Sequence, residues 1–183
     1  LHLLSRRQRQ MCIRDSIRLT PEDLDYIEQY GLCHTSCFSS IEYELPEMAK
    51  RCQVSFDFSE RTDPDYLARV CPYVTYAFFS GSHMTQEEVE ALMDRCHALG
   101  TKVVGVTLGS RGSIFSEEGQ RYHQGIVPVE AIDTMGAGDS FIAGFLTRRI
   151  LGDGMEDALR FAATAAANTC KFHGGFGYPH PLD

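Results

Sequence analysis

The sequence predicts an α/β fold: a parallel sheet with helices on both faces. Three observations point to it. Short apolar, β-branched runs recur along the chain, helical stretches with recognisable start and stop signals alternate with them, and the rhythm breaks only after Leu108, where a hairpin follows.

The elements follow in order. Thr20-Pro21 with Asp23 supplies an N-cap, a first-turn proline and an early acid, and Gly31 stops that first helix. Residues 32–35 read as a short buried strand, 41–51 as a helix whose start Pro46 shifts, and 54–58 as the next strand. A helix over 63–70 and a strand over 73–79 come next. Thr85 and Glu88 have capping-box spacing for a helix through Leu99, which Gly100 closes. Residues 102–108 are β-branched and apolar, as a central strand requires. Residues 112–116 and 120–124 flank Glu117-Glu118-Gly119 as a hairpin, and 127–132 extend into a glycine-rich turn. Two helices finish the chain, one to about Leu151 and an alanine-rich one over 155–172.

At 183 residues the chain fits one domain with a substantial core. A formal charge of −8 with no basic stripe argues against a nucleic-acid or anionic-membrane partner and favours small-molecule chemistry. No apolar run approaches the ~20 residues that span a bilayer. The seven cysteines are odd in number and scattered without a CxxC pair, which suits reduced thiols in a cytoplasmic protein better than a disulfide framework or zinc site. His34, between Cys33 and Cys37, reads as part of a strand end rather than as a metal ligand. Residues 1–16 have neither helical nor strand periodicity, and Met11-Cys12-Ile13-Arg14-Asp15-Ser16 resembles translated adapter sequence. That segment is expected to be non-native and is set aside from the fold.

The chemistry concentrates in Asp133-Thr134-Met135-Gly136-Ala137-Gly138-Asp139-Ser140-Phe141-Ile142-Ala143-Gly144-Phe145-Leu146. Small residues at 136–138 let backbone N–H groups approach an anion, and the following helix adds its unpaired amides and positive dipole end. A carboxylate at 139 is badly placed there unless it has a task, such as accepting the proton of an attacking hydroxyl. An anion hole beside a general base suggests phosphoryl transfer to an alcohol. Two other glycine-loop readings fail: Phe141 stands where a dinucleotide fingerprint needs its third glycine, and no GxxxxGK[ST] run exists.

The block resembles, without a gap through Leu146, the second signature of the ribokinase-like (pfkB) carbohydrate kinases. The resemblance extends from Pro21 to about Tyr178 and implies a three-layer parallel-sheet ribokinase-like fold, N-terminally truncated. Residues 17–183 would then be the C-terminal part of a single kinase domain, without the small β lid and GG signature that grip the sugar in the family. It implies ATP-dependent phosphorylation of a sugar hydroxyl, with Asp139 as catalytic base and Gly136, Ala137 and Gly138 as the anion hole. The segment Thr107-Leu108-Gly109-Ser110-Arg111-Gly112 is similar to the family's TLGxxG, which would bring Thr107, Gly109 and Gly112 to ATP, with Asn168 near the adenine. His173-Gly174-Gly175-Phe176-Gly177 lies where relatives hold a monovalent cation, which would place Asp133 and Met135 near K+.

One departure concerns Mg2+. Relatives carry Asn-x-x-Glu after the strand at 73–79, whereas this chain reads Ser80-Gly81-Ser82-His83, with Glu87 and Glu88 a turn later. Mg2+ is still expected, because charge between the β- and γ-phosphate oxygens must be neutralised.

Phe56-Asp57-Phe58-Ser59, Met135 within the signature, and His173-Gly174 resemble the fructoselysine 6-kinases within the family. That implies conversion of fructoselysine to fructoselysine 6-phosphate. The expected partner is a small-molecule sugar or glycated amino acid, with no nucleic acid and no membrane; a homodimer stays open. Two alternatives also stay open: a kinase for another sugar or a nucleoside, such as fructose or ribose, and a non-catalytic nucleotide-binding fragment.

Overall fold

Local signals start most of the elements. The computed structural model describes residues 17–175. Helix α1 (Pro21–Ile27) opens with a full capping box between Thr20 and Asp23, and Pro21 supplies a preset φ in the first turn. Strand β1 (Leu32–Ser36) follows, then α2 (Leu45–Arg51), β2 (Gln53–Asp57), α3 (Pro64–Val70) and β3 (Tyr76–Ser80). Asp63 caps α3 by accepting the Tyr66 amide at 2.9 Å. Helix α4 (Gln86–Ala98) carries the expected capping box: Glu88 donates its amide to Thr85 Oγ1 at 3.2 Å and accepts that of Thr85 at 2.8 Å. Then come β4 (Val103–Thr107), the hairpin strands β5 (Ser113–Glu117) and β6 (Gln120–Gln124), and helices α5 (Ala137–Ile150) and α6 (Met155–Thr169).

The six strands form one sheet in chain order, β1-β2-β3-β4-β5-β6. β1 and β2 are parallel with Leu32 opposite Gln53, β2 and β3 are parallel with Ser55 opposite Tyr76, and β5 and β6 are antiparallel with Ser113 opposite Gln124. The expected hairpin is thus present, and its turn takes φ of 51° at Glu118 and 80° at Gly119.

Several expected element bounds shift. The second helix starts at Leu45, not at residue 41, because Pro46 takes a first-turn position. The strand expected from residue 73 starts at Tyr76, since Cys71–Tyr73 is a 3-10 turn around Pro72. Residues 127–132 join no ladder, and α6 ends at Thr169.

The chain divides into two compact units. One takes the described residues up to Ser80 together with Thr85–Gly105; the other takes Gly81–Met84 and the residues from Val106 onward. The core of the first unit is aromatic: Phe58 stacks on Phe79 with ring centroids 4.6 Å apart and lies 4.7 Å from Phe56, all three buried. In the second unit Phe115 packs on Phe145 at 4.8 Å and on Phe141 at 5.8 Å. There α5 meets α6 closely, because a Cβ at Gly144 would lie 3.3 Å from both Ala162 Cα and Ala165 Cβ.

Candidate functional site

The signature turn is anchored by its first residue, Asp133. The Asp133 carboxylate accepts the Met135 amide at 3.0 Å through one oxygen and the Gly174 amide at 3.0 Å through the other. The Gly174 amide, then the Met135 amide, hold the Asp133 carboxyl below the usual carboxylate range, and the nearby His173 adds to the effect. Cys170, just past α6, accepts the Ile132 amide at 2.8 Å and the Asp133 amide at 3.3 Å. Asp133 and the 173–174 segment therefore meet, and Asp133 ties the turn to the chain after α6.

Gly136 supplies the left-handed residue, with φ 74° and ψ 1°, that swings the chain into α5. The Ala137 amide donates to Thr134 O at 3.2 Å and that of Ser140 to Gly136 O at 2.9 Å. Among the described residues the amides of Gly138 and Asp139, between them, find no backbone acceptor. A Cβ at Gly138 would have no heavy atom within 4 Å, so the backbone is uncrowded on that side. Asp139 is exposed in the first turn of α5, and among the described residues no hydrogen bond or ion pair engages its carboxylate. Two free amides, a helix N-terminus of 14 residues and an unengaged carboxylate thus share one turn. A 2.6 Å hydrogen bond between the Ser140 and Thr169 hydroxyls ties this first turn of α5 to the last turn of α6.

Thr107 ends β4, and the 3-10 turn Gly109–Arg111 follows. Gly112 has φ 87°, and a Cβ there would sit 2.2 Å from the Gln124 carbonyl oxygen, so glycine is needed for the close pass of β6. Gly109 has φ 60°. Sequence reasoning missed two residues that hold this turn. The Gly81 amide donates to Thr107 O at 2.8 Å, and Arg111 donates to the carbonyls of Ser82 and Met84 at 2.9 Å each. A Cβ on Gly81 would lie 2.5 Å from Val106 Cγ1, a contact no sequence pattern announces. Asn168 is exposed near the end of α6 and accepts the Lys171 ammonium at 2.9 Å.

Glu88 serves the cap of α4, as an ordinary helix start does, and Glu87 and His83 are exposed. Among the described residues no three His, Cys, Asp or Glu side chains cluster as a metal site. No described helix is long and apolar enough to cross a membrane.

The chain belongs to the pfkB family of carbohydrate kinases, whose family model matches residues 25–179. It is 47% identical over 171 residues to the fructosamine kinase FrlD of Bacillus subtilis (strain 168), covering 92% of this chain and 60% of that one. It is 35% identical over 159 residues to the fructoselysine 6-kinase of Escherichia coli (strain K12), covering 86% of this chain and 60% of that one. Among solved structures it is similar to the Arabidopsis thaliana ribokinase complexed with ribose and ATP, with a TM-score of 0.76 and 27% identity over 85% of this chain and 55% of that one. The fold is thus ribokinase-like, and the chain spans 60% of the length of the two kinases named first.

Proposed function

We propose that this chain carries the phosphoryl-transfer part of an ATP-dependent sugar kinase, with a glycated amino acid, fructoselysine, as acceptor and fructoselysine 6-phosphate as product. The reading treats residues 17–183 as the C-terminal part of one kinase domain. The observation that carries it is the unengaged Asp139 carboxylate one residue after the open Gly138 amide. Identity to a fructosamine kinase and a fructoselysine 6-kinase supports the acceptor class.

Asp139 accepts the proton of the sugar's primary hydroxyl, the hydroxyl oxygen attacks the γ-phosphorus of ATP, and ADP leaves with the electron pair of the broken P–O bond. At the 136–138 turn the Ala137 amide is engaged by Thr134 O, so the free amides of Gly138 and Asp139 face the transferring oxygens, where developing charge is stabilised at no cost in reorganisation. Thr107, Gly109 and Gly112 line the nucleotide from the β4 turn, with Asn168 toward the base. The described residues offer no all-protein cage for Mg2+, so the ion would be held through phosphate oxygens and water, an arrangement it favours. When bound there it neutralises charge between the β- and γ-oxygens. Both Asp133 oxygens are taken by amides, so K+ would be held by backbone carbonyls around 133, 135 and 173–174.

The test is ADP release with fructoselysine, fructose and ribose in turn. Turnover that depends on fructoselysine supports the reading. Preference for fructose or ribose moves the acceptor elsewhere in the family, and nucleotide binding without turnover on any of them marks a non-catalytic chain.

A further inference from the structure

A cavity of about 880 Å³ opens in the first unit at the carboxyl ends of β1 and β2, where Ser59 of the Phe56–Ser59 run is part of its lining. Its size is that of a small-molecule site. Its charged lining is Glu42, Glu60, Arg61 and Arg69, set among Tyr43 and Tyr66. Tyr66 is only 4% exposed and is fixed from two sides. Its hydroxyl donates to Glu42 Oε1 at 2.7 Å, and Phe58 meets its ring at 90° with centroids 6.0 Å apart. Both guanidinium groups stand over this ring, Arg61 at 4.3 Å and Arg69 at 5.5 Å from its centroid. Arg61 also lies 3.9 Å from Glu42. Arg69 has no ion pair among the described residues, so its stacking leaves a planar fork of donors unused.

We propose that this cavity binds the zwitterionic α-amino-acid end of a glycated amino acid. Arg69 and Arg61 supply the partners of its carboxylate and Glu60 and Glu42 those of its ammonium group. Two guanidinium groups and two carboxylates in one cavity balance, which suits a ligand bearing one charge of each sign. A phosphate ester would set its two negative charges against Glu42 and Glu60, and a diamine would set its charges against the arginines. The exposed Tyr43 ring suits the methylene chain that separates a lysine head group from its sugar. The inference rests on the preceding reading only in naming glycated amino acids as the ligand.

The test is calorimetric titration of this chain with fructoselysine and with the same sugar carried on 1,5-diaminopentane, which keeps the ammonium group and lacks the carboxylate. Fructoselysine should bind about tenfold or more tightly than the analogue, the range expected for a hydrogen-bonded charged group. Arg69→Gln, an exposed change, should close that gap by weakening fructoselysine alone, while Glu60→Gln should weaken both ligands. Equal affinities, no binding of either ligand, or an equal effect of Arg69→Gln on both would overturn the proposal. Transfer of phosphate to fructoselysine without discrimination between the two ligands would sink the head-group site and leave the kinase standing. Discrimination in binding without transfer would do the reverse.

Discussion

Asp133 is the residue on which the signature turn hangs, and its chemistry gives a pH signature. Its folded pKa lies below the ordinary value, chiefly through the Gly174 amide and then that of Met135. A carboxyl depressed in the folded state adds stability that is complete above the unfolded pKa, about 4, and is lost as pH falls through the lower folded value. Thermal melts of the parent should therefore show an acid-dependent loss below about pH 4 that is reduced in Asp133→Asn. Identical acid profiles would remove Asp133 from that role. Gly112 is the other decisive position. Alanine there would combine a φ of 87° with a Cβ 2.2 Å from the Gln124 oxygen. Gly112→Ala should cost on the order of 3 kcal/mol in urea unfolding. The sequence marked Gly112 as a nucleotide contact; the packing reason lies in a strand 12 residues away along the chain, which no local pattern reveals.

Among the elements, helix starts were readable because caps are local. Thr20 with Asp23 and Thr85 with Glu88 fall where the spacing places them, and both boxes close with their hydrogen bonds. Thr85→Ala should cost about 1 kcal/mol, measured in the same way, with no effect on nucleotide binding. Strand starts were less readable. Val74 and Tyr76 suit a strand equally well by propensity, and only the turn at Cys71–Tyr73 decides where pairing begins. Residues 127–132 are apolar enough for a strand, yet Ile132 is 55% exposed, so composition there reports neither burial nor pairing. The α5–α6 contact is a question of space. Gly144→Val would push a branched side chain against the Ala162 backbone and should destabilise by about 1–3 kcal/mol. A melting temperature equal to the parent's would show that the two helices can separate freely.

For the molecule as a whole, the family was legible because the signature is long and contiguous, and the parallel strands because apolar runs alternate with capped helices along the chain. The cavity around Tyr66 was not, since its walls come from residues 37–46, 59–61 and 66–73, three stretches with no shared motif. The proposed transfer turns on a single carboxylate, Asp139, in the chain's most specific sequence. A positioned base contributes about 10²–10⁴ in rate, or ~3–5 kcal/mol of barrier. The measurement that tests it most directly is kcat, with ATP affinity alongside, for the parent and Asp139→Asn under fructoselysine-dependent ADP release. In Asp139→Asn kcat should fall by that factor with ATP binding nearly unchanged. Turnover in Asp139→Asn close to the parent's would contradict it.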